Sequence, residues 1–345
     1  MNKANGKTFI AALPKAELHL HLEGAIEPHT LVELARMHGQ ELDPAAAQRI
    51  YQYTDFTGFM RAFREITKYL QTPEDYELIT YRLMQRLAAE NVLHAEVYIS
   101  VGSCLRWGHK FEEIFEGLER GRERGERDFQ VSLLWIFDAV RHFGPDAAQC
   151  VVELAVPRRD RHVVGIGIGG DERLAAPELF GEVYRYAARH GLRLTAHAGE
   201  TIGPESVWGA LRVLKAERIG HGLNSWKDRE LLAHLVQQQI PVEVSVSSNV
   251  RTGCCKQLSQ HPLKSYFDLG LMVTLNTDDP AMFETSIGRE YEIAQQTFGF
   301  TNAQLERLAK NSFQASFLPD SKKREYLKLF GPAEGFGPQR LKPDS

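Results

Sequence analysis

Short apolar runs, each ending in polar or reactive side chains, recur along the chain, separated by longer stretches whose apolar residues fall at helical spacing. In order, strands are predicted at AELHLH, VLHAEVYI, VSLLWIFD, VVGIGIG, RLTAHAG, ERIGHG, PVEVSVSS and MVTLNTDD. Segments such as PELFGEVYRYAARHG and DRELLAHLVQQQ carry apolar positions three and four apart and are predicted as helices between them. Eight strands alternating with helices fit the α/β class as a (β/α)8 TIM barrel, whose strand C-termini converge on one face. An open doubly wound sheet more often places a glycine-rich phosphate turn after its first strand. The GIGIGG run at 165–170 superficially suggests such a turn, but no helix opens directly behind it. The connection from the first strand to the second, about 22–91, is far longer than a simple crossover and reads as a helical insertion of the kind that becomes a lid. Phe56, Phe59 and Phe63 within it have the spacing of a helix packed on the core, and an apolar lid is the other reading of the same triplet. No repeat or linker splits the chain, so 1–345 is expected to be a single domain with a loose tail over about 331–345.

Composition narrows the class. With 345 residues, 43% hydrophobic and 25% charged, the chain can bury a large core and is neither disordered nor collagen-like. The net charge of −4 gives no global positive field for nucleic acid or an anionic membrane. The four cysteines, Cys104, Cys150, Cys254 and Cys255, do not make a disulfide framework, which points to a reducing, cytoplasmic setting. No apolar run is long enough for a signal peptide or a transmembrane helix. The adjacent Cys254 and Cys255 read as ordinary packing, because a redox or nucleophilic role asks for C-x-x-C spacing or a positioned histidine.

Histidine carries the chemistry. His19 and His21 lie two apart at the end of the first strand, which puts both rings on one face. Two such imidazoles suit a divalent metal, and a catalytic zinc needs further protein ligands from other strand ends. His197 in HAGE, His221 in GHG, and Asp278 with Asp279 in NTDDP lie at the ends of the fifth, sixth and eighth strands, where a barrel brings them together. Taken singly, His221 also suits a polar strand end, and Asp278 and Asp279 also suit a turn or a helix N-cap before Pro280. The tripeptide His21-Leu22-Glu23 fits the H-x-E half of the cytidine-type zinc deaminase signature, but the P-C-x-x-C half is absent.

The motifs PKAELHLHLEGA, HAGE followed by GPESVW, ERIGHG, SSN and LNTDDPAMF, in this order, resemble the adenosine deaminase family of amidohydrolase barrels over roughly 13–317. The resemblance implies a single Zn2+, or another divalent ion, held by His19, His21, His197 and Asp278, with Glu200, His221 and Asp279 acting on the substrate. It implies hydrolytic release of ammonia from C6 of a purine: zinc supplies a nucleophile at neutral pH, and His221 takes or orients the water proton. Glu200 donates to N1, Asp279 bonds at N7, and the backbone N–H of Gly170 reaches N3. Glu23, in HLEGA, stands where adenosine deaminases carry the aspartate that meets the ribose. WIFD, GGDE, HAGETIGPESVW and ERIGHG resemble the branch that deaminates 6-amino-6-deoxyfutalosine in the alternative menaquinone pathway. Adenosine in purine salvage, adenine, and another bond for a metal hydrolase are the alternatives. A carboxyphenyl extension on that substrate asks for a cation, and Arg141 in WIFDAVRHFG is the candidate, with a solvated loop arginine as the other reading.

Overall fold

Alternation along the first strand sets the character of the barrel interior. In the computed structural model, which describes residues 3–331, β1 is Lys15–His21. Its Ala16, Leu18 and Leu20 join the apolar core, whereas Glu17, His19 and His21 alternate with them and make polar contacts. The other strands are β2 Val92–Ile99, β3 Ser132–Val140, β4 Val163–Gly169, β5 Arg193–Ala198, β6 Arg218–His221, β7 Val242–Val244 and β8 Val273–Leu275. All neighbours pair in parallel in the order β1 to β8. The seam between β8 and β1 is closed by chemistry from the segment after β8. Asp278 N–H donates to His19 O at 3.0 Å and His21 N–H to Asp278 O at 2.8 Å. The Asn276 side-chain oxygen accepts from the N–H groups of Leu18 and His19 at 2.9 and 3.1 Å, standing in for ladder bonds. The result is the (β/α)8 TIM barrel that the alternation predicts.

The last two strands are shorter than the sequence pattern suggests. PVEVSVSS extends only to Val244 before the helix Val246–Arg251 begins, and MVTLNTDD leaves the sheet after Leu275. In both places β-branched residues continue past the ladder because their side chains stay buried, so burial mimics a strand.

Between β1 and β2 the chain forms a 3-10 turn, Glu23–Ala25, and the helices Pro28–Met37, Pro44–Ile50, Phe56–Thr67 and Pro73–Ala89. The Asp55 carboxylate caps Phe56–Thr67 by accepting from Gly58 N–H at 2.7 Å. That helix serves both readings of its phenylalanines: Phe56 and Phe59 are buried on the core, and with Phe63 they also line the cavity described below. The tail beyond 331 lies outside the described residues. No helix among the described residues is long and apolar enough to cross a membrane.

Candidate active site

The polar lane of the interior runs up the barrel to its C-terminal mouth. Glu243 on β7 receives Arg218 Nε at 2.6 Å, and the same guanidinium meets Glu96 on β2. Glu243 Oε2 faces His19 Nδ1 at 2.9 Å. A carboxylate at Nδ1 favours the tautomer with hydrogen there and leaves the Nε2 lone pair pointing up the barrel, the outer-sphere arrangement of metal-bound histidines. His19 Nε2 is buried and has no hydrogen-bond partner.

Three further donors are linked to that nitrogen by short separations, through Asp278. His19 Nε2 is 3.2 Å from Asp278 Oδ1, His21 Nε2 is 3.3 Å from the same oxygen, and His21 Nε2 is 3.1 Å from His197 Nε2. A tetrahedron with ligand bonds of about 2.0–2.1 Å has edges of about 3.3 Å, so these separations fit one zinc-sized ion. Three imidazoles and a carboxylate are also a donor set of the right chemistry. The second oxygen, Asp278 Oδ2, accepts from the Ser248 hydroxyl at 2.7 Å, which holds the carboxylate in orientation. His221 lies close by: its donor atom and those of His19, His197 and Asp278 all fall within 4.8 Å of one another. Its Nε2 is 3.9 Å from Asp278 Oδ2, farther out than His21.

The backbone bends to deliver these groups. His221 and Asp278 have φ of 63° and 66°, left-handed values for residues with a Cβ; His221 is the last residue of β6, and Asp278 lies three residues past the end of β8. Such strain concentrates where function over-determines the structure. Gly24 shows a different constraint, since a Cβ there would overlap the Asp279 carboxylate.

Glu200 stands across from the metal cluster. Burial, then the charges of Asp278 and Glu172, push its carboxyl well above the usual carboxylate range. Glu200 Oε2 is 3.7 Å from His221 Nε2, and the Cys254 thiol donates to Oε1 at 3.8 Å. Cys254 therefore touches the site, beyond the packing role its spacing suggests. The Glu200 loop is clasped from below by Glu172. Its carboxylate accepts from the N–H groups of Gly199, Glu200 and Thr201 at 2.8, 2.7 and 2.8 Å, and from the Ser206 hydroxyl. Asp279 is buried with Oδ1 unpartnered, and burial plus its neighbour Asp278 raise its carboxyl.

A cavity of about 430 Å3 opens over this cluster, within the size range of small-molecule sites. His21, His197, Glu200, His221, Asp278, Asp279 and Gly170 all face it. Gly170 has φ 88°, and a Cβ there would approach His142 Nδ1 to 3.0 Å, so glycine leaves its backbone open to the cavity. Asp138, at the end of β3, also lines it, with Oδ1 unpartnered and its carboxyl pushed by burial up to about 7. The outer part is apolar, walled by Phe56, Phe59, Met60, Phe63, Trp107, Phe143 and Leu174. Of the three exposed arginines that line the cavity, which include Arg61, two lie against its aromatic wall: Arg64 is 5.8 Å from the Trp107 ring and Arg106 is 4.8 Å from the Phe143 ring. Neither is in an ion pair among the described residues.

Two expectations need correction. Arg141 is fully buried; it donates to Ala175 O at 3.0 Å and His197 O at 2.7 Å, and it does not line the cavity. Its guanidinium fastens the strand that carries His197 and is not free for a substrate carboxylate. Glu23 is likewise buried and outside the cavity wall, with Oε1 accepting from Ser100 N–H at 3.0 Å. The resemblance places Glu23 where the family aspartate meets the ribose; here it opens the 3-10 turn Glu23–Ala25, and the Ser100 amide engages its carboxylate.

Comparison with known proteins agrees with the geometry. A profile of the family described as adenosine deaminase matches residues 14–330. An aminodeoxyfutalosine deaminase from Streptomyces avermitilis is 40% identical over 316 residues, covering 90% of this chain and 88% of that protein. The crystal structure of an adenine deaminase from Arthrobacter aurescens superposes with a TM-score of 0.88 at 33% identity, covering 92% of this chain and 98% of that one. A crystal structure of an amidohydrolase from Burkholderia ambifaria, with bound zinc, gives a TM-score of 0.89 at 30% identity, covering 95% and 92%.

Proposed function

The chain belongs to the adenosine deaminase family and is a metal-dependent hydrolytic deaminase, and from that premise we propose that it converts 6-amino-6-deoxyfutalosine to its 6-oxo product with release of ammonia. His19, His21, His197 and Asp278 would hold the metal, and the donor separations and the bare His19 Nε2 support zinc there. When bound, such an ion supplies a nucleophilic oxygen at neutral pH by lowering the pKa of water.

The remaining steps belong to the chain's own side chains. Attack at C6 moves electron density onto N1, and the neutral carboxyl of Glu200 donates its proton there. His221, 3.7 Å from that carboxyl, orients the attacking water. Asp279 holds the ring at N7, while the open backbone of Gly170 receives the N3 edge. As the C6–O bond forms and the C6–N bond breaks, the oxygen of water ends on the ring. One of its hydrogens leaves on the departing ammonia and the other restores the Glu200 carboxyl, which gave its own to N1.

Substrate choice rests on one observation: the cavity over the His/Asp cluster is lined as well by an apolar, aromatic set of side chains and by Arg64 and Arg106, neither with a carboxylate partner among the described residues. An arylcarboxylate on the 5′ side of a nucleoside fits such a lining, with the ring against the aromatic wall and the acid on a guanidinium already stacked in place. Free adenine, the substrate named for the Arthrobacter aurescens structure, leaves that lining uncovered. The test is incubation of metal-analysed protein with 6-amino-6-deoxyfutalosine, scoring the ultraviolet change of the purine together with ammonia. Stoichiometric release, lost in Asp278→Ala, is the expected result. No turnover of this compound by protein that deaminates adenine would overturn the assignment.

A further inference from the structure

Behind His221, on the side away from the cavity, lie two buried residues that the chemistry above does not use, Asn249 and His261. Their hydrogen bonds form a chain with an unambiguous direction. It starts at a backbone amide, Leu263 N–H, which donates to His261 Nδ1 at 3.1 Å. An amide can only donate, so His261 Nδ1 holds the lone pair, and in the neutral ring the hydrogen is on Nε2. His261 Nε2 lies 3.1 Å from Asn249 Oδ1, where the carbonyl accepts. That fixes the amide's orientation and leaves Asn249 Nδ2 to donate to His221 Nδ1 at 3.1 Å. His221 Nδ1 in turn holds a lone pair, and its ring hydrogen is on Nε2, the atom that faces Glu200 and Asp278.

We propose that Asn249 and His261 are positioning residues that, through this chain from the Leu263 amide, hold His221 as the Nε2–H tautomer, so that it presents a hydrogen to the cavity and stays out of the metal's ligand set. A ring nitrogen bearing hydrogen has no lone pair to give a cation, so the relay removes His221 from the four-donor group it forms with His19, His197 and Asp278, and leaves the open position to His21, which also lies beside Asp278. His21, free of any such constraint, supplies the third nitrogen. Burial supports the neutral form of His261, pushing it down to about 3. Turning the Asn249 amide over would set its NH2 against His261 Nε2–H, two donors face to face in a buried site, which the structure avoids. The inference rests on the reading of His19, His21, His197 and Asp278 as ligands, and it adds to that reading what decides between His21 and His221.

The experiment uses zinc-loaded protein labelled with nitrogen-15 in histidine. Long-range proton–nitrogen spectra, with His221 assigned from His221→Gln, read which ring nitrogen carries hydrogen. Nε2–H at His221 is expected, and Nδ1–H would overturn the proposal. The variants are His261→Gln and His261→Leu. Glutamine can accept from Leu263 N–H and donate to Asn249, keeping the direction of the chain, whereas leucine breaks it. His261→Leu should lose about 10–100-fold in kcat with KM and zinc content kept, the range found when support of a site residue is removed. His261→Gln should exceed His261→Leu in kcat. A packing role alone predicts the reverse order, because leucine fills the apolar space better, and that result would overturn the proposal. Zinc content of His21→Ala and His221→Ala keeps the premise separate: loss of zinc in the first and retention in the second upholds the ligand reading. The opposite pattern refutes that reading, whatever the tautomer.

Discussion

Replacing Glu172 by glutamine probes the support of Glu200 without touching any group that meets the substrate. The wild-type carboxylate accepts three backbone N–H bonds and the Ser206 hydroxyl while almost completely buried. In Glu172→Gln one oxygen survives and can keep the bonds to Glu200 and Thr201 N–H, but the new NH2 faces Gly199 N–H, donor against donor. Ser206 can rotate its hydroxyl to accept, so one buried backbone donor is left unpaired, a loss of about 1–3 kcal/mol. For a chain of 345 residues, that loss lowers the melting temperature by about 1–4 °C, using the usual unfolding entropy per residue. A second effect has a definite sign. The negative charge of Glu172 helps to raise the Glu200 carboxyl, so neutralising it lowers the Glu200 pKa. Glu200 works protonated, and kcat falls as pH rises through its pKa; that alkaline limb should move to lower pH in Glu172→Gln. Calorimetry and a pH–rate profile on the metal-loaded variant measure both. An unchanged melting temperature with an unmoved alkaline limb would refute the claim that Glu172 clasps and tunes the Glu200 loop.

Glu200→Gln should keep its metal, lose roughly 10²–10⁴-fold in kcat, and lose the alkaline limb, because the proton donor to N1 is gone while the ligand set is untouched; near-normal turnover would contradict the acid role. Glu243→Gln should weaken metal binding about 10–100-fold in competition with a chelator, since His19 loses the carboxylate that fixes its tautomer. Arg106→Ala should raise KM for 6-amino-6-deoxyfutalosine by about tenfold, the loss of one charge-assisted hydrogen bond near the surface, and leave KM for adenosine as it was.

The barrel and its mouth were legible in the sequence because both follow from period-two alternation. His19 and His21 share a face, His197 and His221 lie at the ends of strands that the alternation already separated, and Asp278 follows the last of them by three residues. The ends of β7 and β8 were not legible, because Val246, Ser248 and Thr277 are as buried outside the ladder as strand residues are inside it. The supporting carboxylates Glu96 and Glu243 had a readable signal, a charge at an inward position of an otherwise apolar strand, and burial among Arg218 and His19 explains why that charge is tolerated. Glu172 and Asp138 had weaker signals, each being one acidic residue at a strand end. Arg141 misled for a physical reason: a loop cation near a site reads as a ligand for anions, but backbone carbonyls of Ala175 and His197 satisfy it internally. Arg64 sits on the insertion helix Phe56–Thr67 and Arg106 ends the short helix Val101–Arg106 after β2; the turn of both toward the mouth depends on tertiary packing, which no local pattern reports.

In the proposed function, the apolar, arginine-bearing part of the cavity selects a nucleoside with an arylcarboxylate extension. That selection is tested most directly by competition, with 6-amino-6-deoxyfutalosine, adenosine and adenine mixed in equal concentration and given to one sample of metal-analysed protein. The relative rates of disappearance give the ratios of kcat/KM without separate calibration of enzyme. 6-Amino-6-deoxyfutalosine should be consumed first, and Arg106→Ala should narrow its lead. Consumption of adenine ahead of the nucleosides would contradict that selection.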